Sequence, residues 1–397
     1  MQAVRLSVSV PYYNSRFSKS LTYRHNGKSS YVICSQNNHD DDGFYMRKSV
    51  ELARKGLGYT SPNPLVGCVI VKHGQIVGQG FHPKPGQPHA EVFALRDAGD
   101  LAENATAYVS LEPCNHFGRT PPCTEALINA RVKKVVIGMV DPNPIVASKG
   151  VDRLRSAGIE VVVGVEEELC KGINEAYIHR MLTGKPLLTL RYSLSVNGNL
   201  LDSLGNGVTD SGGYYSKLLQ EYDAIILSSS LFGKNLSVDS VPLSQEPGAN
   251  QPIRIIMHKD SGSSNQMPLV INGSKVIIFT DSRTATTPEE TQQGIETVSV
   301  DKINLDVILD YCNRQGLCSV LLDMRGNFSE HEELVKEGIK KKYINKFVTE
   351  ILPVWSGCNQ NDSLLPFKNL DQGVKVENLR PMASAQSVVI EGYLNFN

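Results

Sequence analysis

Two short stretches bring together the side-chain types that metal chemistry needs. The first is Pro88-His89-Ala90-Glu91, and the second runs Leu111-Glu112-Pro113-Cys114-Asn115-His116-Phe117-Gly118-Arg119-Thr120-Pro121-Pro122-Cys123. One histidine and two cysteines suit Zn²⁺, and a three-ligand set leaves a fourth tetrahedral position for a water that can be activated. The expected ligands are therefore His89, Cys114 and Cys123. Glu91 stands two residues after the histidine, close enough to reach that water as a proton carrier. It is also a favourable acid in the first turn of a helix, a role compatible with the first. His116 offers a competing arrangement. As a fourth ligand it would close the coordination sphere and make a structural zinc knot in a non-catalytic, zinc-stabilised interaction protein. An acid beside the metal has no use in such a knot, so Glu91 favours catalysis.

The elements that must hold these groups can be read from pattern. Asp40-Asp41-Asp42 suits a helix N-terminus, and Met46, Val50 and Ala53 follow at helical spacing up to Gly56. Thr60-Ser61-Pro62-Asn63-Pro64 is a loop. Val66 to Val71 and Gln75 to Gly78 flank His73-Gly74 and read as a β-hairpin. A helix is expected from Pro88, with His89 and Glu91 in its first turn. A strand from Ala107 to Leu111 delivers Cys114 just past its end, and Cys123 opens a helix through Ala130. Strand Lys134–Gly138, helix Gly150–Ala157, strand Ile159–Val163 and helix Glu166–Met181 continue an α/β alternation, which implies a sheet covered by helices.

His-x-Glu followed by Pro-Cys and a second Cys is the pattern of the zinc nucleobase deaminases. Thr60 to Val69, His82 to Glu91, Leu111 to Cys123 and Asp141-Pro142-Asn143-Pro144 together resemble, in order, the deaminase half of the riboflavin-biosynthesis pyrimidine deaminase/reductase family. The match covers Asp42 to Thr183, and eight residues intervene between the two cysteines, where most cytidine and adenosine deaminases have two. The resemblance implies a cytidine-deaminase-like domain. Its substrate would be 2,5-diamino-6-hydroxy-4-(5-phosphoribosylamino)pyrimidine, deaminated to 5-amino-6-(5-phosphoribosylamino)uracil. It also favours substrate contacts for Asn63, His82, His116 and Arg119, each of which has a plain structural alternative.

From Lys185-Pro186 onward the pattern changes. Strands are expected at Leu187–Tyr192, Ala224–Leu227, Ile253–Ile256, Val276–Phe279, Ser319–Leu322 and Lys346–Thr349, with exposed loops at Asn235–Pro252 and Asp260–Gly273. This half resembles the family's reductase domain, which is dihydrofolate-reductase-like and normally uses NADPH, but the likeness fails where ligands should bind. Ser195-Val196-Asn197-Gly198 stands for Ser-Leu-Asp-Gly, and Val208-Thr209-Asp210-Ser211 for Trp-Ile-Thr-Gly. Leu236 to Ser240 replaces an acid pair, and Asp323-Met324-Arg325-Gly326 stands for a Glu-Gly-Gly turn. Met324 and Arg325 are bulky where small residues let a cofactor approach the backbone. The expectation is an α/β chain in two parts, a deaminase domain at 40–184 and an inactive reductase-like domain at 185–397 that serves as scaffold or dimerisation module. In this it resembles the plant members of the family, in which the two activities lie on separate proteins. A bifunctional deaminase and NADPH-dependent reductase is the alternative.

Residues 1–39 carry Arg5, Arg16, Lys19, Arg24 and Lys28 but no acid before Asp40, are rich in serine, and have no long apolar core. They read as a transit peptide, with Val32-Ile33-Cys34 before Ser35 as a plastid-type processing site and the plastid stroma as destination. Forty basic and 41 acidic residues argue against a nucleic-acid-binding face. No apolar run reaches the ~20 residues of a membrane helix. The eight cysteines are too scattered for a disulfide framework. Expected partners are the small phosphorylated pyrimidine, a second copy of the chain, and a separate reductase acting on the product.

Overall fold

Helix α1 (Asn38–Ala53) begins at the acidic run as expected, but Asp42 is more than a favourable charge at a helix end. Its carboxylate is buried, accepting from the Tyr108 hydroxyl at 2.7 Å and from Lys134 at 3.0 Å, so it fixes the helix to the sheet beneath. That sheet has the order β2-β1-β3-β4-β5, with strands β1 (Gly67–Lys72), β2 (Gln75–Phe81), β3 (Thr106–Leu111), β4 (Lys134–Met139) and β5 (Glu160–Val163). The β1–β2 hairpin turns at His73-Gly74. β1 pairs antiparallel with β3, and β3, β4 and β5 run parallel. The strand period of two sends Cys68, Ile70, Val135 and Ile137 to one face and Val69, Val71 and Val136 to the other. Helices α2 (Ala90–Ala98), α3 (Cys123–Asn129) and α4 (Lys149–Ser156) cover the first face; α1 and α5 (Glu167–Ile173) cover the second. Gly67 is where α1 comes closest: a Cβ there would sit 1.9 Å from the Ser49 carbonyl oxygen.

The structure is a computed structural model that describes residues 38–117, 121–143, 147–232, 243–258, 275–281, 295–357 and 374–396. Residues 39–397 belong to one compact unit. Two elements differ from expectation. The helix anticipated over Glu166–Met181 is broken into α5 and α6 (Glu175–Thr183) by buried Asn174. Its side chain replaces helix bonding with a two-point grip on another segment, accepting from Leu65 N at 2.8 Å and donating to Leu65 O at 3.0 Å. His89 precedes α2 in extended conformation and sits outside its first turn.

The second sheet contains β6 (Leu187–Ser195), β7 (Leu200–Leu201), β8 (Ala224–Leu227), β9 (Ile253–His258), β10 (Val276–Asp281), β11 (Ile295–Val300), β12 (Ser319–Asp323), β13 (Ile344–Leu352), β14 (Lys375–Ser384) and β15 (Ser387–Asn395). Its order is β11-β10-β9-β8-β12-β6-β13-β15-β14, with β7 paired to β6. Strands β11 through β13 are parallel, and the closing β14–β15 hairpin is antiparallel. Helix α7 (Tyr214–Glu221) covers one face, while α8 (Leu305–Arg314) and α9 (Phe328–Lys340) cover the other. The architecture is the dihydrofolate-reductase-like arrangement expected, and all six anticipated strands are present. The loop expected at Asn235–Pro252 is described only from Leu243; Leu236–Ser240 and Asp260–Gly273 lie outside the described residues. Among the described residues no helix is long and apolar enough to cross a membrane.

Candidate active site

β3 ends at Leu111, and the chain turns through Glu112 and Pro113 to bring Cys114 to the edge of the first sheet. Glu112 is what fixes that turn. Its buried carboxylate takes four backbone N–H groups: Asp141 at 3.2 Å and Ser148 at 3.0 Å on one oxygen, Gly150 at 2.9 Å and Val151 at 3.1 Å on the other. One side chain thus binds the cysteine loop to the 141–148 loop and to the start of α4. Helix α3 supplies the second cysteine. Its first residue, Cys123, donates its N–H to Cys114 Sγ at 3.4 Å, and Thr124 N donates to Cys114 O at 3.2 Å.

His89 closes the group from the start of α2. Its Nδ1 lies 3.5 Å from Cys114 Sγ and 3.4 Å from Cys123 Sγ, and these are the residues that can gather around one metal ion. A tetrahedral zinc at about 2.0 Å from nitrogen and about 2.3 Å from sulfur would set those atoms about 3.5 Å apart, so the donor set fits zinc in type and in its nitrogen–sulfur spacing. The ionisation of the trio is mutual. The Cys114 thiol is pulled down to about 4, chiefly by a hydrogen bond from Cys123 and against its own burial, while Cys123 is pushed up. The pair shares one proton, and a dication in its midst is what lets both sulfurs ionise.

Glu91 lies in the first turn of α2 and is 3% exposed. Burial, with the Cys114 charge adding to it, pushes its carboxyl up to about 7. Its Oε2 has no hydrogen-bond partner among the described residues. A buried carboxyl with one oxygen unpaired beside a metal-type donor set is available to a water or a ligand.

Of the residues expected to touch substrate, Asn63 and His82 come together: Asn63 Nδ2 is 3.0 Å from His82 Nε2. His82 is buried, its Nδ1 lies 3.2 Å from Pro88 O, and its ring stands edge-on to His89 at 5.3 Å between centroids. Burial lowers its pKa, so a neutral ring donates from Nδ1 to Pro88 O and accepts at Nε2 from Asn63. Both of its nitrogens are thereby engaged within the protein. His116 is exposed and stands apart from the three donors, which leaves the closed four-ligand knot without support. Arg119 lies outside the described residues. Sequence reasoning missed Glu112 and Asn174. Neither has a signal beyond its residue type, because each works through backbone groups distant in sequence.

Fold and donor set together define a zinc-dependent deaminase of the cytidine-deaminase type joined to a dihydrofolate-reductase-like half. Residues 39–139 match the cytidine and deoxycytidylate deaminase zinc-binding region. The chain is 56% identical over 391 residues to the chloroplastic riboflavin biosynthesis protein PYRD of Arabidopsis thaliana, covering 96% of this chain and 90% of that protein. It is 52% identical to the protein of the same name from Zea mays, covering 89% of this chain and 88% of that one. Among solved structures, the diaminohydroxyphosphoribosylaminopyrimidine deaminase/5-amino-6-(5-phosphoribosylamino)uracil reductase of Thermotoga maritima superposes with a TM-score of 0.74 at 28% identity, over 90% of this chain and all of that one. The chain belongs to the riboflavin-biosynthesis deaminase/reductase family.

Proposed function

We propose that this chain hydrolytically deaminates 2,5-diamino-6-hydroxy-4-(5-phosphoribosylamino)pyrimidine to 5-amino-6-(5-phosphoribosylamino)uracil and ammonia, in riboflavin biosynthesis within the plastid stroma. The observation that carries this reading is the buried Glu91 carboxyl, one oxygen unpaired, beside a histidine nitrogen that stands 3.4 and 3.5 Å from two cysteine sulfurs. His89, Cys114 and Cys123 hold the metal, which when bound supplies Lewis-acid activation of a water. Glu91 takes one proton from the attacking water and passes it to the ring nitrogen, then takes the remaining proton of the hydroxyl that has added to the ring carbon and gives it to the amino group, which departs as ammonia. With Asn63 Nδ2 given to His82, Asn63 Oδ1 is the acceptor that meets an amino group of the pyrimidine or the ribose. His82 supports substrate binding by orienting that amide. His116, exposed beside the cysteine loop, and Arg119 are the groups for the phosphoribosyl end.

The chain is read as a transit peptide at 1–39, a deaminase domain at 40–184 and a reductase-like domain at 185–397, a division supported by the separate sheets of the two halves. The second half is read as a silent reductase. Arg325 and Met324, in the turn after β12, are both buried, and Arg325 is turned inward onto Asp323 at 2.8 Å and onto the Tyr215 hydroxyl at 2.6 Å. Polar groups engaged with one another in this way leave a cofactor little to bind. A homodimer is the expected assembly, supported by exposed Leu379, Met382 and Val388 on the β14–β15 hairpin, and a separate reductase consumes the product. The test is to give the purified, zinc-loaded chain the diaminopyrimidine substrate with and without NADPH. Ammonia should be released, the deaminated ribosyl compound should accumulate, and NADPH should remain. Oxidation of NADPH with formation of the ribityl product would establish the bifunctional alternative.

A further inference from the structure

The loop carrying Asn63 is short of anchors within its own half of the chain. Tyr59 N donates to Gly56 O at 3.0 Å and Asn63 N to Thr60 O at 2.7 Å, both turns internal to the loop, and Asn174 grips Leu65 just beyond it. Between those points, residues 58–62 are held from three separate places in the second half. Asn250 Nδ2 donates to Gly58 O at 2.7 Å, and the Tyr59 hydroxyl donates to Gly248 O. Gly316 lies so close to the Pro62 ring that its Cβ, if present, would touch it at 3.4 Å. Ser61 Oγ donates to Asp223 Oδ2 at 2.8 Å.

Asp223 stands just before β8 and is itself rigidly placed. The oxygen that receives Ser61 also accepts Cys318 N at 2.7 Å, Ser319 N at 3.1 Å and Ser319 Oγ at 3.3 Å, so it is fastened to the start of β12. A carboxylate with this many donors has little freedom left, and a hydroxyl bonded to a charged acceptor makes one of the stronger contacts available to a loop. The line of contacts runs from Asp223 through Ser61 to Asn63, then to His82, whose ring lies against metal-type donor His89.

We propose that the reductase-like half acts as a positioning element for the deaminase site, with Asp223 and Ser61 as positioning residues that hold Asn63 where substrate must meet it. This rests on the deaminase reading above and gives the second half a role that needs neither NADPH nor hydride transfer. Sequence reasoning placed no deaminase site residue beyond Cys123 and read the second half as a scaffold or dimerisation module. The Asp223 contact makes the two halves interdependent. Because Asn63 meets the substrate's periphery, away from the water and proton carrier, loosening it should weaken binding before it slows the chemical step.

The test uses the full-length, zinc-loaded chain. Ser61→Ala should raise KM for the diaminopyrimidine substrate about tenfold, as loss of a positioning contact does, with kcat within about twofold and zinc content unchanged. Ser61→Thr, which keeps the hydroxyl, should restore KM. Asn250→Ala, which frees the loop at Gly58 without touching Asp223, should raise KM in the same sense. In an Asn63→Ala background Ser61→Ala should add nothing further, since it acts through that amide. Wild-type KM and kcat for Ser61→Ala at full zinc occupancy would overturn the proposal, as would equal loss in Ser61→Ala and Ser61→Thr or full additivity with Asn63→Ala. Absence of ammonia release from the unsubstituted chain is a separate outcome, which would overturn the deaminase function and this inference with it.

Discussion

The two halves of the chain each gather ionisable side chains at the ends of parallel strands, and they treat them in opposite ways. In the first half, Glu91 keeps an unpaired buried oxygen and His89 Nδ1 faces the two cysteine sulfurs across 3.4–3.5 Å. In the second, the charges consume one another. Arg191 donates to Glu350 at 2.9 Å, Ser193 at 2.7 Å and Tyr214 at 2.7 Å, and lies 3.5 Å from Asp323. Asp323 in turn receives Arg325 at 2.8 Å and the Tyr215 hydroxyl at 2.6 Å. Arg191 Nε is the one fully buried nitrogen of these two guanidiniums without a partner among the described residues, and outside this cluster buried Arg254 on β9 keeps Nη1 and Nη2 unpaired. A reactive site must leave valences open for what it binds, at a cost in stability. A cluster that fills its own valences becomes architecture.

Attacking the open side should have the largest effect. Cys114→Ala or Cys123→Ala leaves two protein donors, too few to retain Zn²⁺ against competition, so metal content and ammonia release should both fall to background. Glu91→Gln preserves shape and metal but removes the proton carrier, and should cost about 10²–10⁴-fold in kcat with zinc still bound. Metal analysis beside ammonia release separates the two classes. A zinc-loaded, active Cys123→Ala chain would defeat the ligand assignment, and near-normal turnover by Glu91→Gln would remove Glu91 from the mechanism.

Attacking the closed side should act on stability. Glu350→Ala takes the acceptor from buried Arg191 and also strands Gly205 N and Ser387 Oγ, which bond to the other oxygen at 3.1 Å and 2.8 Å. Removing one partner of a buried pair leaves an uncompensated charge, typically at a cost of about 3–5 kcal/mol. Denaturant unfolding should register that loss while zinc content of the folded fraction stays unchanged. A change below about 1 kcal/mol, the scale of a surface pair, would mean that the cluster is solvated and the contrast between the halves is false.

This contrast explains what was legible in the sequence. His89, Glu91, Cys114 and Cys123 could be read because metal chemistry demands particular residue types, and few alternatives use a histidine, an acid and two cysteines in that order. The strands of the second sheet were legible from apolar runs such as Ala224–Leu227. The β14 strand was not, since most of its residues are exposed and it contains Pro381, tolerated only because the strand lies at the sheet edge. Met324 and Arg325 could be recognised as obstructive, but not as half of a network with Tyr215 and Arg191, because pairing across distant segments leaves no local pattern. Asn174, Glu112 and Asp223 escaped for the same reason. Each is a common polar residue whose partners are contributed by segments distant in sequence.

The smallest expected effect concerns acid. Burial alone would raise the Asp323 carboxyl, but the Arg325 and Arg191 guanidiniums outweigh it and hold the group down at about 2. A carboxyl depressed in the folded state contributes stability above its unfolded pKa of about 4, and that contribution is lost as pH falls through the folded value. A difference of this size corresponds to about 2.5 kcal/mol, lost between about pH 4 and pH 2. Zinc release in acid would obscure the effect in a single titration, so the informative measurement is a difference. Arg325→Met removes one of the two guanidiniums while filling similar volume, which should lift the Asp323 pKa toward its unfolded value and so shrink the acid loss. Zinc release, governed by His89, Cys114 and Cys123 in the other half, should keep its own pH dependence in both chains. Unfolding free energies measured stepwise from pH 5 to pH 2 should therefore converge, the variant starting lower and losing less than the unsubstituted chain. Parallel curves for the two chains would show that Asp323 does not draw its charge stabilisation from Arg325, and the second half would lose its clearest sign of a site closed by its own residues.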